Sequence, residues 1–473
     1  MPIFFICLAA LIGGYLIYSI VVDRIFGVDP SRATPVTVME DGVDFVAMPS
    51  WKIFLIQLLN IAGVGPIFGP ILGALYGPVA LIWIVIGSIF AGGVHDYFSG
   101  MLSIRHNGES IPEVVGYTLG NAVKQFMRVF SIILLLLVGI VFVSSPAQLL
   151  TNLTGIPMGI LVAVIFCYYF IATILPVDKI IGRIYPFFGA ALIFMALSLI
   201  VMLFVGDYTI YPQRSLSNLN PQGLPLWPLM FITIACGALS GFHATQSPLM
   251  ARCVTNERQG RHIFYGAMIL EGIIALIWAT LAMSFFNTPD ALNDILSQGG
   301  PALVVNTISK ELLGGAGAFL AIIGVVFLPV SSGDTAFRSA RLIIADFLHL
   351  SQKTNVKRLM IAVPLFAVGF IVSKTDFNII WRYFGWANQT MATIVLWTAA
   401  VYLARRGRFH WIATLPATFM TAVVVSFLCY SEIGLGMSIQ FATAVGIGAA
   451  VVCFILFFLK RDTKAVQVNQ EAE

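Results

Sequence analysis

Five ionisable residues lie inside long apolar stretches: His95, Asp96, His243, Glu271 and Asp334. A charge at mid-helix costs about 2.5–3.5 kcal/mol on membrane-insertion scales, so such residues mark ion or substrate paths by default. Asp334 follows Pro329-Val-Ser331-Ser332-Gly333 and precedes Thr335. Hydroxyls and free carbonyls beside one carboxylate suit a hard cation such as Na⁺, and the carboxylate alone could carry H⁺. The competing reading is anchoring, through an ion pair to Arg338 one turn later. His95 and Asp96 follow Gly92-Gly93, and a partner arginine near the inner surface would make them structural. Glu271 has no basic neighbour on its own helix, so it is either protonated or paired across the bundle.

Two interrupted apolar segments supply a second kind of chemistry. One reads Asn60-Ile-Ala-Gly63-Val-Gly65-Pro66-Ile-Phe-Gly69-Pro70, the other Gly237-Ala-Leu-Ser240-Gly241-Phe-His243-Ala-Thr245-Gln246-Ser247-Pro248. Lipid offers no partner for freed backbone groups, so irregular chain at membrane depth needs cover from protein or a wet cavity. Two such breaks in comparable halves point to a transporter's substrate site. A broken helix exposes N–H groups at one half's start and C=O groups at the other's end. The first attracts anions, the second cations. No Lys lies mid-span, so an anionic substrate would rest on backbone N–H groups at Gly63, Gly65 and Gly241, in the break that Pro66 helps to make, with Asn60, Ser240, His243, Thr245, Gln246 and Ser247 as side-chain donors. The bland alternative is that Gly and Pro merely kink packed helices.

These residues need a membrane bundle to hold them. The chain has 473 residues, 59% of them hydrophobic and 10% charged, with a mean hydropathy of +0.93. Soluble domains average about 25% charged residues. The net charge of +4 is scattered, which excludes a nucleic-acid partner on charge patterning. The six cysteines show no ligand spacing, and no GxxxxGK[ST], HExxH or GxSxG motif is present. An enzyme, a cofactor and a bound metal are therefore not expected, and His95 and His243 stand outside any ligand-spaced cluster.

A membrane span takes about 20 apolar residues. Thirteen fit: an uncleaved N-terminal helix at 3–22, then 51–75, 78–103, 126–147, 157–175, 184–205, 228–251, 263–286, 314–346, 358–373, 379–403, 409–430 and 436–459. The stretch 23–50 reads as loop, and the long span at 314–346 should leave the membrane from Arg338. With this count every Arg- and Lys-rich loop falls on one face, the cytoplasmic one. The N-terminus is then outside, and the tail 460–473 and the 23–50 loop inside.

Residues 51–205 and 228–403 form two five-helix units, the second inverted because five is odd. Gly65 and Gly241 are 176 positions apart, as are His95 and Glu271. The fold expected is an all-α membrane protein of the leucine-transporter type, a 5+5 inverted repeat with the first helix of each unit broken. Residues 1–50 would be an N-terminal addition and 409–459 two peripheral helices.

Gly65-Pro-Ile-Phe-Gly-Pro-Ile-Leu72, Ala235-Cys-Gly-Ala-Leu-Ser-Gly-Phe-His243, Asp334…Arg338-Ser-Ala-Arg341 and Phe384-Gly-Trp-Ala-Asn-Gln389 together resemble the carbon starvation protein A family of bacterial inner-membrane transporters. The likeness covers about residues 1–460 and marks the chain as a short form. It implies ion-driven uptake of peptides or pyruvate when carbon runs short. Two stretches depart from the longer members, Gly92-Gly-Val-His95-Asp96 and His243-Ala-Thr-Gln-Ser-Pro248, and both touch the expected site. Asn388 and Gln389 follow the family pattern and would either face the cavity or bond across helices. The expected protein is a monomer or homodimer in the plasma membrane, importing a small organic acid or short peptide with H⁺ or Na⁺. A channel or a substrate-binding nutrient sensor is the alternative.

Overall fold

The computed structural model describes residues 1–174, 181–322, 326, 328–352, 354–375 and 377–460. The positions Lys353, Arg461 and Lys464 that entered the loop-charge count, and the tail beyond 460, lie outside them. The described residues are helical throughout their ordered elements. Eight helices are long and apolar enough to cross a membrane, and the bent pair Ser50–Ala62 with Gly65–Tyr76 makes a ninth among the described residues. We number them α1 (Pro2–Phe26), α2 (Ser50–Ala62), α3 (Gly65–Tyr76), α4 (Val79–Arg105), α5 (Ile111–Leu119) and α6 (Asn121–Thr154). There follow α7 (Met158–Ile174), α8 (Ile181–Val205), α9 (Leu229–Thr233), α10 (Gly241–Ala251), α11 (Glu257–Phe285) and α12 (Pro289–Ile322). The last are α13 (Leu328–Phe347), α14 (Asn355–Val372), α15 (Phe377–Arg405), α16 (Trp411–Tyr430) and α17 (Ile439–Lys460).

Of the other four expected spans, three correspond to α7, the α9–α10 pair and α15, which are short or polar. The fourth, 314–346, corresponds to the end of α12 and to α13, with 323–325 and 327 outside the described residues. Two details differ from expectation. The region before 314 is helical from Pro289, broken by non-helical backbone at Gly299, Gly300 and Gly314. Within 23–50, Pro35–Met39 winds one short helix, where Thr37 Oγ1 accepts from Thr34 N at 3.1 Å and donates to Thr34 O at 2.7 Å.

Both expected breaks are present. α2 ends at Gly63, whose φ of 46° and ψ of −142° suit glycine alone. After Val64, Gly65 and Pro66 start α3 at a bend of 47°. The missing N–H of proline costs nothing at a helix start. The second break is wider: α9 stops at Thr233, and α10 begins only after an extended Ser240.

Burial sorts the helices by depth. In the most apolar window of α11 78% of residues are buried and in α4 72%, against 22% in α1 and α17. α10 packs beside α4 and α15, α11 beside α2 and α3, and α13 along α6. α4 and α11 are therefore the most buried of these spans, and His95, Asp96 and Glu271 are fully enclosed in them.

Candidate functional site

The two breaks touch. A Cβ on Gly65 would overlap the Cys236 side chain, and a Cβ on Gly237 would come within 3.1 Å of Pro70. Above this contact opens a cavity of about 560 Å³, lined by Gly65, Gly69, Thr233 and Cys236 from the breaks and by Trp381, Arg382 and Phe384 from α15. Tyr430 and Glu432 line it from the end of α16. Sequence reasoning missed the α15 and α16 residues. The available signal was Arg382 and Glu432, charges at the ends of apolar spans.

Near Cys236, four buried side chains from three helices form a chain. Asp96 binds His95 Nδ1 through Oδ1 at 2.7 Å and His243 Nδ1 through Oδ2 at 2.9 Å. His243 Nε2 lies 3.4 Å from Glu271 Oε2. All four are fully buried. The partner arginine that would have made His95 and Asp96 structural is not what the structure shows, since Asp96 bonds His243 of α10. Glu271 is paired across the bundle.

Of the substrate candidates, Gly65 lines the cavity, and the others form the protein layer around it. Asn388 closes the second break: its Oδ1 accepts from Phe242 N at 2.7 Å and Ser240 Oγ at 3.1 Å, and Gln389 Nε2 donates to Leu239 O at 2.7 Å. Both residues thus bond across helices. One N–H at the start of α10 is consequently taken by protein, and Gly241 packs against the Asn388 and Ala392 backbone. Thr245 Oγ1 returns to Phe242 O at 2.7 Å, and Ser247 Oγ donates to His243 O at 3.1 Å. Gln246 Nε2 donates to Thr245 Oγ1 at 2.9 Å. Asn60 differs, for it is fully buried and neither amide atom has a hydrogen-bond partner among the described residues. Buried amides are nearly always bonded, so Asn60 retains unused recognition capacity beside the Gly63 turn. Pro66 serves as the start of α3.

The α13 oxygens split between two sides. Ser332 Oγ donates to Leu59 O at 2.7 Å, which ties α13 to the carbonyl end of α2. Asp334 Oδ2 accepts from Tyr168 of α7 at 2.9 Å. Two positions on a helix are about 200° apart, so Ser332 and Asp334 cannot face one ligand together. Thr335 Oγ1 bonds its own backbone at Ser332 O, 2.9 Å. Ser331 is buried beside them. Arg338 turns away from Asp334: Nη1 lies 3.2 Å from Asp44 Oδ1 and Nη2 2.5 Å from Ala172 O. The competing reading, an anchoring pair from Asp334 to Arg338, is not among the contacts of the described residues, where Arg338 meets Asp44 and Ala172.

The model of the family described as carbon starvation protein CstA matches residues 1–160, 145–295 and 293–426. A Haemophilus influenzae protein described as an uncharacterized membrane protein is 50% identical over 349 residues, 63% of this chain and 94% of that one. The Escherichia coli peptide transporter CstA is 27% identical over 547 aligned positions, covering 86% of this chain and 77% of that one. The Escherichia coli pyruvate/proton symporter BtsT is 26% identical over 402 positions, 68% of this chain and 56% of that one. Among solved structures, a mutant of the Eremococcus coleocola manganese transporter matches with a TM-score of 0.54 over 89% of this chain and 98% of that one. At 13% identity that likeness is one of fold. Breaks, buried charges and family match converge, and the chain is a multi-pass membrane protein of the carbon starvation protein CstA family.

Proposed function

We propose that this protein is a secondary transporter that imports a small organic solute, a short peptide or a pyruvate-like carboxylate, by ion-coupled alternating access. The observation that carries this reading is the contact of two helix breaks at the wall of a cavity, with a buried His–Asp–His–Glu chain near the Cys236 that lines it. The relatives described as a peptide transporter and as a pyruvate/proton symporter favour the same substrate classes. A cavity of about 560 Å³ accommodates either. Arg382 on its wall supplies a cation for the solute carboxylate, and Asn60 a buried amide for a second polar group.

The thirteen-span, 5+5 reading gains support from matched details. α4 carries a π-helical turn at Gly87–Gly92 and α11 one at Arg261–Tyr265. Tyr265 Oη donates to Ile89 O at 2.8 Å, a pair again 176 positions apart. On this topology the cavity opens outside and the arginine-rich end faces the cytoplasm.

The His95–Asp96–His243–Glu271 chain is our candidate for coupling. A proton gained or lost there changes charge in a dry interior, where the change is felt strongly by the adjoining α10 break. Asp334, with Ser331 and Thr335, is the second candidate, while Ser332 ties α13 to α2 beside the first break. Histidines in the chain favour H⁺ over Na⁺. Counterflow of labelled pyruvate and labelled dipeptides into proteoliposomes, with H⁺ and Na⁺ gradients imposed separately, tests the reading. Transport of either solute, raised by an inward H⁺ gradient, is expected. Binding without counterflow would leave a sensor, and flux indifferent to both gradients a channel.

A further inference from the structure

Part of the cavity wall comes from the turn between α16 and α17, through Ser431, Glu432, Gly436 and Met437. That turn is folded back on the end of its own helix. Met437 N donates to Cys429 O at 2.8 Å, Leu435 N to Leu428 O at 3.0 Å and Gly434 N to Ser431 O at 2.9 Å. Gly436, with φ of 59°, supplies the left-handed backbone that this reversal needs. α16 is in turn fixed to α9, the helix that stops at the second break. Phe419 meets Phe231 edge to face with ring centroids 5.2 Å apart, and Trp227 Nε1 donates to Ser426 Oγ at 3.2 Å. The backbone at Glu432 is therefore placed by the same packing that places the break.

Arg382 reaches the cavity from α15. Its neighbour Trp381 packs against Phe68 of α3, with ring centroids 6.5 Å apart. A Cβ on Gly385, one turn further on, would stand 3.6 Å from Ile232 of α9. Among the described residues, Arg382 and Glu432 are the two charged groups that line the cavity, one of each sign. Both are exposed, so a solute entering from water meets them. Neither makes an ion pair or a hydrogen bond among the described residues, either with the other or with a third group. The wall between them is largely apolar and aromatic. Opposite charges that face one cavity without neutralising each other complement a ligand that carries both signs.

We propose that Glu432 binds a free ammonium group of the solute while Arg382 binds its carboxylate, so that the cavity selects a zwitterion and rejects a keto acid. The inference rests on the transport reading above and narrows its solute class. A pyruvate-like anion gains Arg382 but is set against the carboxylate of Glu432, a like charge that specificity can exploit. A solute with both a free amine and a free carboxylate satisfies both walls. Tyr430, which lines the cavity two residues before Glu432, adds an aromatic face on which an ammonium can rest. An amino acid and the N-terminus of a short peptide offer the same ammonium. Selectivity is thereby vested in a turn outside residues 51–205 and 228–403, apart from the breaks and from the buried His–Asp–His–Glu chain.

Purified full-length protein in nanodiscs is titrated calorimetrically with alanine, alanyl-alanine, N-acetyl-alanyl-alanine and pyruvate. Alanine or alanyl-alanine should bind roughly tenfold tighter than pyruvate, and acetylation should cost alanyl-alanine about the same factor. Glu432→Gln should weaken alanyl-alanine by about five- to tenfold and leave its acetylated form unchanged, so that the two converge. Glu432→Asp should keep the preference for the free amine. Comparison of alanine with alanyl-alanine tells which source supplies the ammonium.

Pyruvate binding as tightly as the two amines would overturn the assignment, as would failure of both amines to bind. An unchanged preference in Glu432→Gln would also overturn it. Equal weakening of both peptides by that substitution would mark Glu432 as structural, with the same consequence. Counterflow into proteoliposomes of the same protein keeps the two readings apart. Counterflow of pyruvate with no preference for an amine removes this inference alone, whereas amine-selective binding without counterflow of any of the solutes removes the transport reading.

Discussion

Asp96 accepts from two imidazoles at once, and each imidazole nitrogen can hold a proton only if its partner accepts it. Asp96→Asn replaces one acceptor oxygen by a donor and so breaks one of the two bonds outright. Truncating one member of a buried ionic group costs about 3–5 kcal/mol, and a lower thermal midpoint in detergent is expected. Glu271→Gln is gentler because its contact to His243 is longer, at 3.4 Å. That variant should fold, exchange solute across the membrane, and fail to accumulate it against a gradient. Accumulation and exchange measured side by side decide the point, and full accumulation would remove Glu271 from coupling. Asp334→Asn separates the second candidate. An amide oxygen can still accept from Tyr168, and Arg338 keeps Asp44, so expression should be normal. Loss of gradient-driven accumulation with intact exchange is expected if Asp334 titrates, and unchanged accumulation if it only fixes α7 to α13.

The helix breaks are where sequence and structure agree best. Gly63, Gly65-Pro66 and Ser240-Gly241 forbid continuous helix by known local rules, and each interruption lies where those residues put it. What seals a break is not local. Asn388 lies 146 positions from Phe242, and no periodicity in either helix says that they meet. Removing the cap in Asn388→Ala would orphan the Phe242 N–H in a dry interior, at a cost of about 1–3 kcal/mol. A fall in melting temperature is expected, with solute affinity changed less than by Asn60→Ala. Gly241→Ala should be worse, because the added methyl meets Asn388 and Ala392 backbone that cannot rotate aside. The split of Ser332 from Asp334 was legible in helix geometry at about 100° per residue. The pairing of Asp44 with Arg338 was not, since loop-charge rules give carboxylates little weight.

At the scale of the whole molecule, the thirteen-span reading places the two termini on opposite sides, where an even count would put them together. A protease site appended after Glu473 should be cleaved in inside-out vesicles and protected in intact cells, and one before Met1 the reverse. Cleavage of both from one side would require an even number of spans and would undo the thirteen-span count. Innermost packing of α4 and α11 has a further consequence, for assembly rather than transport. A ribosome delivers Asp96 to the membrane 147 residues before His243, and the carboxylate must wait in the translocon's vicinity without that partner. Its sequence neighbour His95 is available at once, 2.7 Å away through Nδ1. His95 therefore acts as an escort during biogenesis, shielding the charge until α10 is synthesised. His95→Ala should accordingly leave more nascent chain for quality-control proteolysis, while the molecules that do mature keep the Asp96–His243 bond.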